Sequence, residues 1–85
     1  EIHYNNDFAK QFKSLPLAIK KKAIKKELMF RENPFHPSLR LHKLQGKLKD
    51  YWSISIDQAY RIIFQVMEDG NILFVSVGTH SIYEK

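Results

Sequence analysis

Cysteine is absent from the chain, which excludes a disulfide framework, a thiolate nucleophile and a thiolate-rich zinc site together. The core has to hold by packing alone. Long apolar runs are missing too: nothing approaches the roughly 20 residues that span a bilayer, and Glu1 to Asp7 does not resemble a signal peptide. A cytoplasmic protein with no membrane partner is expected. The start at Glu1 in place of Met points to trimming by a residue or two. There is no internal repeat or low-complexity segment. Acidic residues are outnumbered, 9 against 14 Lys plus Arg, for a net charge of +5. That balance favours a polyanionic partner such as nucleic acid, a ribosome surface or an acidic protein, although it also serves plain solubility. At 85 residues the chain is one domain, residues 1–85, with no room for a separate cofactor-binding module; no cofactor is expected.

What is present reads as a strand, two helices and then strands. Ile2 to Tyr4 suits a short strand, and Asn5, Asn6 and Asp7 supply oxygens that cap a helix N-terminus. Phe8, Phe12 and Leu15 recur at i, i+4 and i+7, the core face of a first helix. Pro16 opens a second helix, which runs to about Arg31 and stops before Asn33-Pro34. That helix carries two apolar stripes, Leu17, Ile24 and Leu28 on one and Ile19, Ala23 and Phe30 on the other, which predicts two packing partners, the first helix and a sheet. Lys21, Lys22, Lys25 and Lys26 fill the remaining arc, as a solvated face or an RNA-binding one.

After the Asn33-Pro34-Phe35-His36-Pro37 loop, Tyr51 to Ile56 alternates with Trp52, Ile54 and Ile56 on the core side. Tyr60 to Met67 alternates likewise, with Arg61 on the side away from Ile62, Phe64 and Val66. Asp69-Gly70-Asn71 turns the chain into a last strand ending at Val77. Connections this short make antiparallel pairs. The expectation is an α+β domain, β-α-α-β-β-β, whose helices cover one sheet face and leave the other, with Arg61, Tyr51 and Ser53, open to contact.

His80 stands just after the last strand in Gly78-Thr79-His80-Ser81-Ile82-Tyr83, at a sheet rim where an imidazole can face a ligand. Alone, such a histidine is more often a bystander. Leu39 to Lys49 enters the sheet dense in Arg, Lys and His and looks like a phosphate-facing edge. From His42-Lys43-Leu44-Gln45-Gly46-Lys47-Leu48-Lys49-Asp50-Tyr51-Trp52-Ser53-Ile54, Tyr60-Arg61-Ile62-Ile63-Phe64 and Gly78-Thr79-His80 with Tyr83 behind it, the chain resembles the RelE/ParE toxin superfamily, in the mRNA interferase branch of RelE, YoeB and YafQ.

That resemblance implies a RelE-like helical hairpin on a mainly antiparallel sheet, and a type II toxin that cuts mRNA on the ribosome without metal. It also implies a cognate antitoxin that covers the toxin by an amphipathic helix or an added strand, with operator DNA reached only through the antitoxin. In such chemistry one group takes the ribose 2′-hydroxyl proton, a cation steadies the phosphate and an acid protonates the 5′-oxygen. The resemblance puts His42 at the position of the base, Arg61 on the phosphate, His80 at the acid and Tyr83 as a stacking or proton-transfer aromatic. Imidazole, with an ordinary pKa near 6.5, suits either proton role, so which histidine does which stays open. Arg40, Lys43, Lys47 and Lys49 are candidates for diffuse RNA attraction. Ser55 and Ala59 stand where YafQ has a His and an Asp, so the YafQ set is incomplete here. His3 and His36 read as structural, the histidines lack a short metal-ligand spacing, and Trp52 reads as core. The same fold serves ParE-type gyrase inhibitors, which need no such His and Arg set, and degenerate members kept for antitoxin or DNA binding; both alternatives remain open at this point.

Overall fold

The computed structural model describes residues 1–83, apart from the side chain of His80. Asn5 starts the first helix as the sequence predicts: its backbone is extended and its Oδ1 accepts the Phe8 amide at 2.8 Å, satisfying one of the orphan donors of the first turn. Strand β1 (Ile2–Tyr4) thus passes directly into α1 (Asn6–Lys13). Pro16 caps α2 (Leu17–Glu32), which ends at extended Asn33 before Pro34, where the proline ring disfavours helix for the residue ahead of it. Then follow β2 (His42–Lys43), β3 (Trp52–Ser55), β4 (Arg61–Val66) and β5 (Ile72–Gly78), with 3-10 turns at Pro37–Leu39, Gly46–Leu48 and His80–Tyr83.

The strands form one sheet in the order β1-β5-β4-β3-β2. All pairs are antiparallel except β1 with β5, which run parallel in register Ile2 to Ile72 and Tyr4 to Phe74. β1 is too short to cover all of β5. Beyond it Gln11 of α1 takes over the free edge, its Oε1 accepting the Val77 amide at 2.9 Å and the Ser76 hydroxyl at 3.0 Å. One side-chain carbonyl so replaces a strand that has run out, keeping a buried amide paired.

The helices cover one sheet face. Phe8, Leu15, Ala23 and Phe30 pack there on Ile54, Ile62, Phe64, Phe74 and Val77. Phe74, fully buried, has the rings of Tyr4, Phe8, Phe30 and Phe64 around it at centroid distances of 5.7, 5.4, 6.0 and 6.2 Å. Trp52 packs half-buried at the margin of this core, with the Lys43 ammonium 5.1 Å from its ring.

Two expectations fail. The Leu17, Ile24 and Leu28 stripe of α2 meets no partner among the described residues; those side chains are 67%, 53% and 58% exposed, because α2 turns its Ile19, Ala23, Met29 and Phe30 side to the core. The second sheet face is only partly open: Arg61 and Tyr51 are half-buried there. Ser53 and Ser55 are buried, and Ile63 is buried beneath the C-terminal turn, whose Ile82 is itself buried. Gly78 makes that turn possible: a Cβ there would meet Ile82 Cγ2 at 2.8 Å, so the closing 3-10 turn lies flat on the strand end.

Candidate active site

Arg61 is the first residue of β4 and stands opposite Ser55 on β3 and Gly78 on β5. Its side chain runs back over β3. Nε and Nη2 donate to the Ser53 hydroxyl at 3.2 and 3.0 Å, and Nη2 donates also to the carbonyl of Arg40 at 3.1 Å. Ser53 is fully buried, so this anchor has one position. Arg40 ends the Pro37–Leu39 turn in the left-handed region, φ 48° and ψ 51°, a conformation that a residue with a Cβ adopts only at a cost. That twist aims its carbonyl at the guanidinium. With Nε and Nη2 committed, the N–H groups on Nη1 are left to meet a ligand.

His42 pairs with Ser53 across β2 and β3, and paired residues project to the same side of a sheet. Its imidazole is therefore on the Arg61 side, and it is exposed. An open cleft of about 450 Å³ forms here, lined by Arg40, His42, Leu44, Gln58, Ala59, Arg61 and Tyr83. Tyr83 comes from the C-terminal turn that Ile82 pins down. A fixed cation, an imidazole and a phenol thus share one cleft, a set that can hold an anion and move a proton beside it. His80 opens the same turn, and its side chain lies outside the described residues.

Of the residues the sequence singles out, Arg40, His42, Arg61 and Tyr83 come together in this cleft. Lys43 does not. As the next residue along β2 it points to the opposite face, over Trp52, because successive strand side chains alternate. Lys47 and Lys49 are exposed on the Gly46–Leu48 turn and just after it, outside the cleft lining. Sequence reasoning missed the Arg40 carbonyl, Leu44 and Gln58. Leu44 was findable, since it is two residues from His42. A second cleft of about 460 Å³, against Phe30, Phe35, Trp52 and Val66, has largely apolar walls and only Glu1 and Arg31 as charged groups, so it offers no comparable chemistry.

The turn leading to Arg61 is held by Asp57. Its Oδ1 accepts the amides of Ala59 and Tyr60 at 2.9 and 2.8 Å, its carbonyl takes the Ser55 hydroxyl at 2.7 Å, and Lys22 of α2 reaches Oδ2 at 3.7 Å. Burial pushes this carboxyl up, but the Tyr60 and Ala59 amides and Lys22 outweigh it and hold it below the usual aspartate value. A carboxyl depressed in the folded state stabilises fully above its unfolded pKa, and that stability is lost as pH falls through the folded one. Urea unfolding is therefore expected to show Asp57→Asn destabilised by about 1 kcal/mol at neutral pH. The gap to wild type should close below about pH 4; a gap constant with pH would contradict the assignment.

Comparison with known proteins gives this geometry a family. The model of a family described as a bacterial toxin of type II toxin-antitoxin systems, YafQ, matches residues 1–84. The chain belongs to the YafQ toxin family. Among solved structures, YafQ from E. coli strain BL21(DE3) is similar at 23% identity and TM-score 0.77, covering 100% of this chain and 98% of that one. A YoeB/ParE toxin from Agrobacterium tumefaciens gives 14% identity and TM-score 0.78 over 94% and 98% of the two chains. The E. coli DinJ-YafQ complex gives 23% and 0.69 over 96% and 94%. No curated protein matches the chain. At these identities the solved structures carry the fold: two helices on a five-stranded mixed sheet, as in RelE-like toxins. The family match makes the chain a toxin of the type II class, and the cleft of His42, Arg61 and Tyr83 is the candidate site of this YafQ-family toxin.

Proposed function

We propose that this toxin is a ribosome-dependent mRNA endonuclease working by proton transfer among its own side chains, and that a cognate antitoxin silences it. The observation that supports this most is the anchored Arg61 guanidinium, with Nη1 uncommitted, in the same cleft as His42 and Tyr83. A phosphodiester seated there has two of its oxygens facing Nη1, a charge-assisted contact. His42 and His80 serve as base and acid. One takes the proton of the ribose 2′-hydroxyl as that oxygen bonds to phosphorus; the other gives a proton to the departing 5′-oxygen as the P–O bond breaks. The products carry a 2′,3′-cyclic phosphate and a 5′-hydroxyl. Tyr83 stacks on a base or assists the proton transfer, and exposed Arg40, Lys47 and Lys49 contribute diffuse attraction to RNA.

The net charge of +5 suits RNA as substrate and also an acidic partner. The fold is shared with the toxins in the E. coli RelBE toxin-antitoxin complex and in the DinJ-YafQ complex, which supports an antitoxin for this chain. Cleavage of a translated mRNA, mapped by primer extension, tests the enzymatic reading. His42→Ala is expected to lower cleavage by roughly 10²- to 10⁴-fold, the usual contribution of a positioned acid or base; cleavage equal to wild type would sink it.

A further inference from the structure

Three turns of α2 present Leu17, Ile24 and Leu28 to solvent, 67%, 53% and 58% exposed. At 100° per residue they fall within an arc of about 40° and extend over about 16 Å of helix. Large aliphatic side chains aligned in this way, with no cover among the described residues, mark a contact surface more than scattered exposure does. The charges around the stripe say what kind of partner fits. Lys20 borders one side, Lys21 and Lys25 the other, and none of these three ammonium groups makes a hydrogen bond or ion pair among the described residues. The remaining α2 lysines are occupied, Lys22 by Asp57 and Lys26 by the Ser38 carbonyl at 3.4 Å. Of the two carboxylates of α2, Glu27 is taken by the Tyr4 hydroxyl and by Arg31 at 2.9 Å, and Glu32, the last residue of the helix, sets a single negative charge at the far end of the stripe against the three border lysines.

We propose that the outer face of α2 is the docking surface for an amphipathic helix of the antitoxin, with aliphatic residues at i, i+3, i+4 and i+7 on Leu17, Ile24 and Leu28 and Asp or Glu flanks on Lys20, Lys21 and Lys25. Helix-on-helix packing buries the stripe, and the carboxylates give the contact its orientation and its on-rate. A second copy of the toxin does not suit this surface, since pairing it with itself sets lysine rows of like charge against each other on chains that each carry +5. RNA does not suit it either, because branched aliphatics offer nothing to phosphates or to base planes. The inference rests on the antitoxin partner proposed above and is independent of the cleft chemistry.

Titration of purified toxin with the antitoxin encoded by the neighbouring gene, by calorimetry, tests it. Ile24→Asp with Leu28→Asp is expected to raise the dissociation constant at least about 100-fold. Lys21→Glu with Lys25→Glu should raise it about 10-fold at low salt and less at high salt. Circular dichroism would confirm the fold, and RNA cleavage by each free variant should equal that of wild type. Binding of wild type and both variants with equal affinity overturns the docking surface while leaving the antitoxin in place. No binding even by wild type overturns the partner and the surface together. Dimerisation of the free toxin that the aspartate pair abolishes would give the stripe to a second copy, and a loss of RNA affinity confined to the lysine pair, with antitoxin affinity unchanged, would give it to RNA; either overturns the proposal.

Discussion

Replacing Arg61 with alanine is expected to slow RNA cleavage by roughly 10²- to 10³-fold, the usual loss when one positioned donor is removed from the site of developing charge. The size follows from how the side chain is held. Ser53 and the Arg40 carbonyl take its Nε and Nη2 hydrogens, so the guanidinium loses little freedom on meeting a phosphate and the remaining donors are aimed before the substrate arrives. Lysine in its place keeps the charge but has no planar fork to share between Ser53, Arg40 and a phosphate. Arg61→Lys should therefore stay well below wild type, within about tenfold of the alanine variant. Ser53→Ala tests the anchor separately: with Arg61 chemically intact but unheld, single-turnover rates should fall by about tenfold while RNA affinity changes little. A rate for Arg61→Ala within twofold of wild type would remove the arginine from the chemistry.

Phe74→Ala is expected to bring the protein close to unfolding. Its ring is fully buried and touches rings from β1, α1, α2 and β4, so no single neighbour can move to fill the space. Truncating such a phenylalanine costs about 3–5 kcal/mol. A domain of this size has a total stability of the order of 5–10 kcal/mol, so roughly half is removed by one substitution. Equilibrium urea unfolding should show the midpoint shifted to low denaturant, with Phe74→Leu intermediate. A loss under 1 kcal/mol for the alanine variant would mean that the aromatic cluster does not organise the core.

Much of this architecture is legible in the residues. Asn5 declares the start of α1, Asn33-Pro34 the end of α2, and the alternation of Trp52, Ile54 and Ile56 declares a strand, because capping, proline and pleat are local physics. The illegible parts depend on neighbours distant in sequence. β2 is His42 and Lys43 alone, too short for any period to show, yet its pairing with β3 decides that His42 faces Arg61 and Lys43 does not. Helical periodicity gave α2 two apolar stripes without saying that one would lack a partner. Ser53 reads as a solvent-facing residue opposite an apolar row; it is buried because Arg61 folds back over it. The left-handed turn at Arg40 has no local signature such as glycine, so its carbonyl could not be foreseen as a support for the site.

The ends of the cut RNA test the central claim most directly. Products from a translated mRNA cleaved by the wild-type toxin would be end-mapped with and without removal of terminal phosphates. Attack by the ribose 2′-oxygen at an Arg61-held phosphate predicts 2′,3′-cyclic phosphate and 5′-hydroxyl ends, produced by wild type and depleted with Arg61→Ala. Fragments bearing 3′-hydroxyl and 5′-phosphate ends, or ends of either kind in equal yield from the Arg61→Ala variant, would contradict the account.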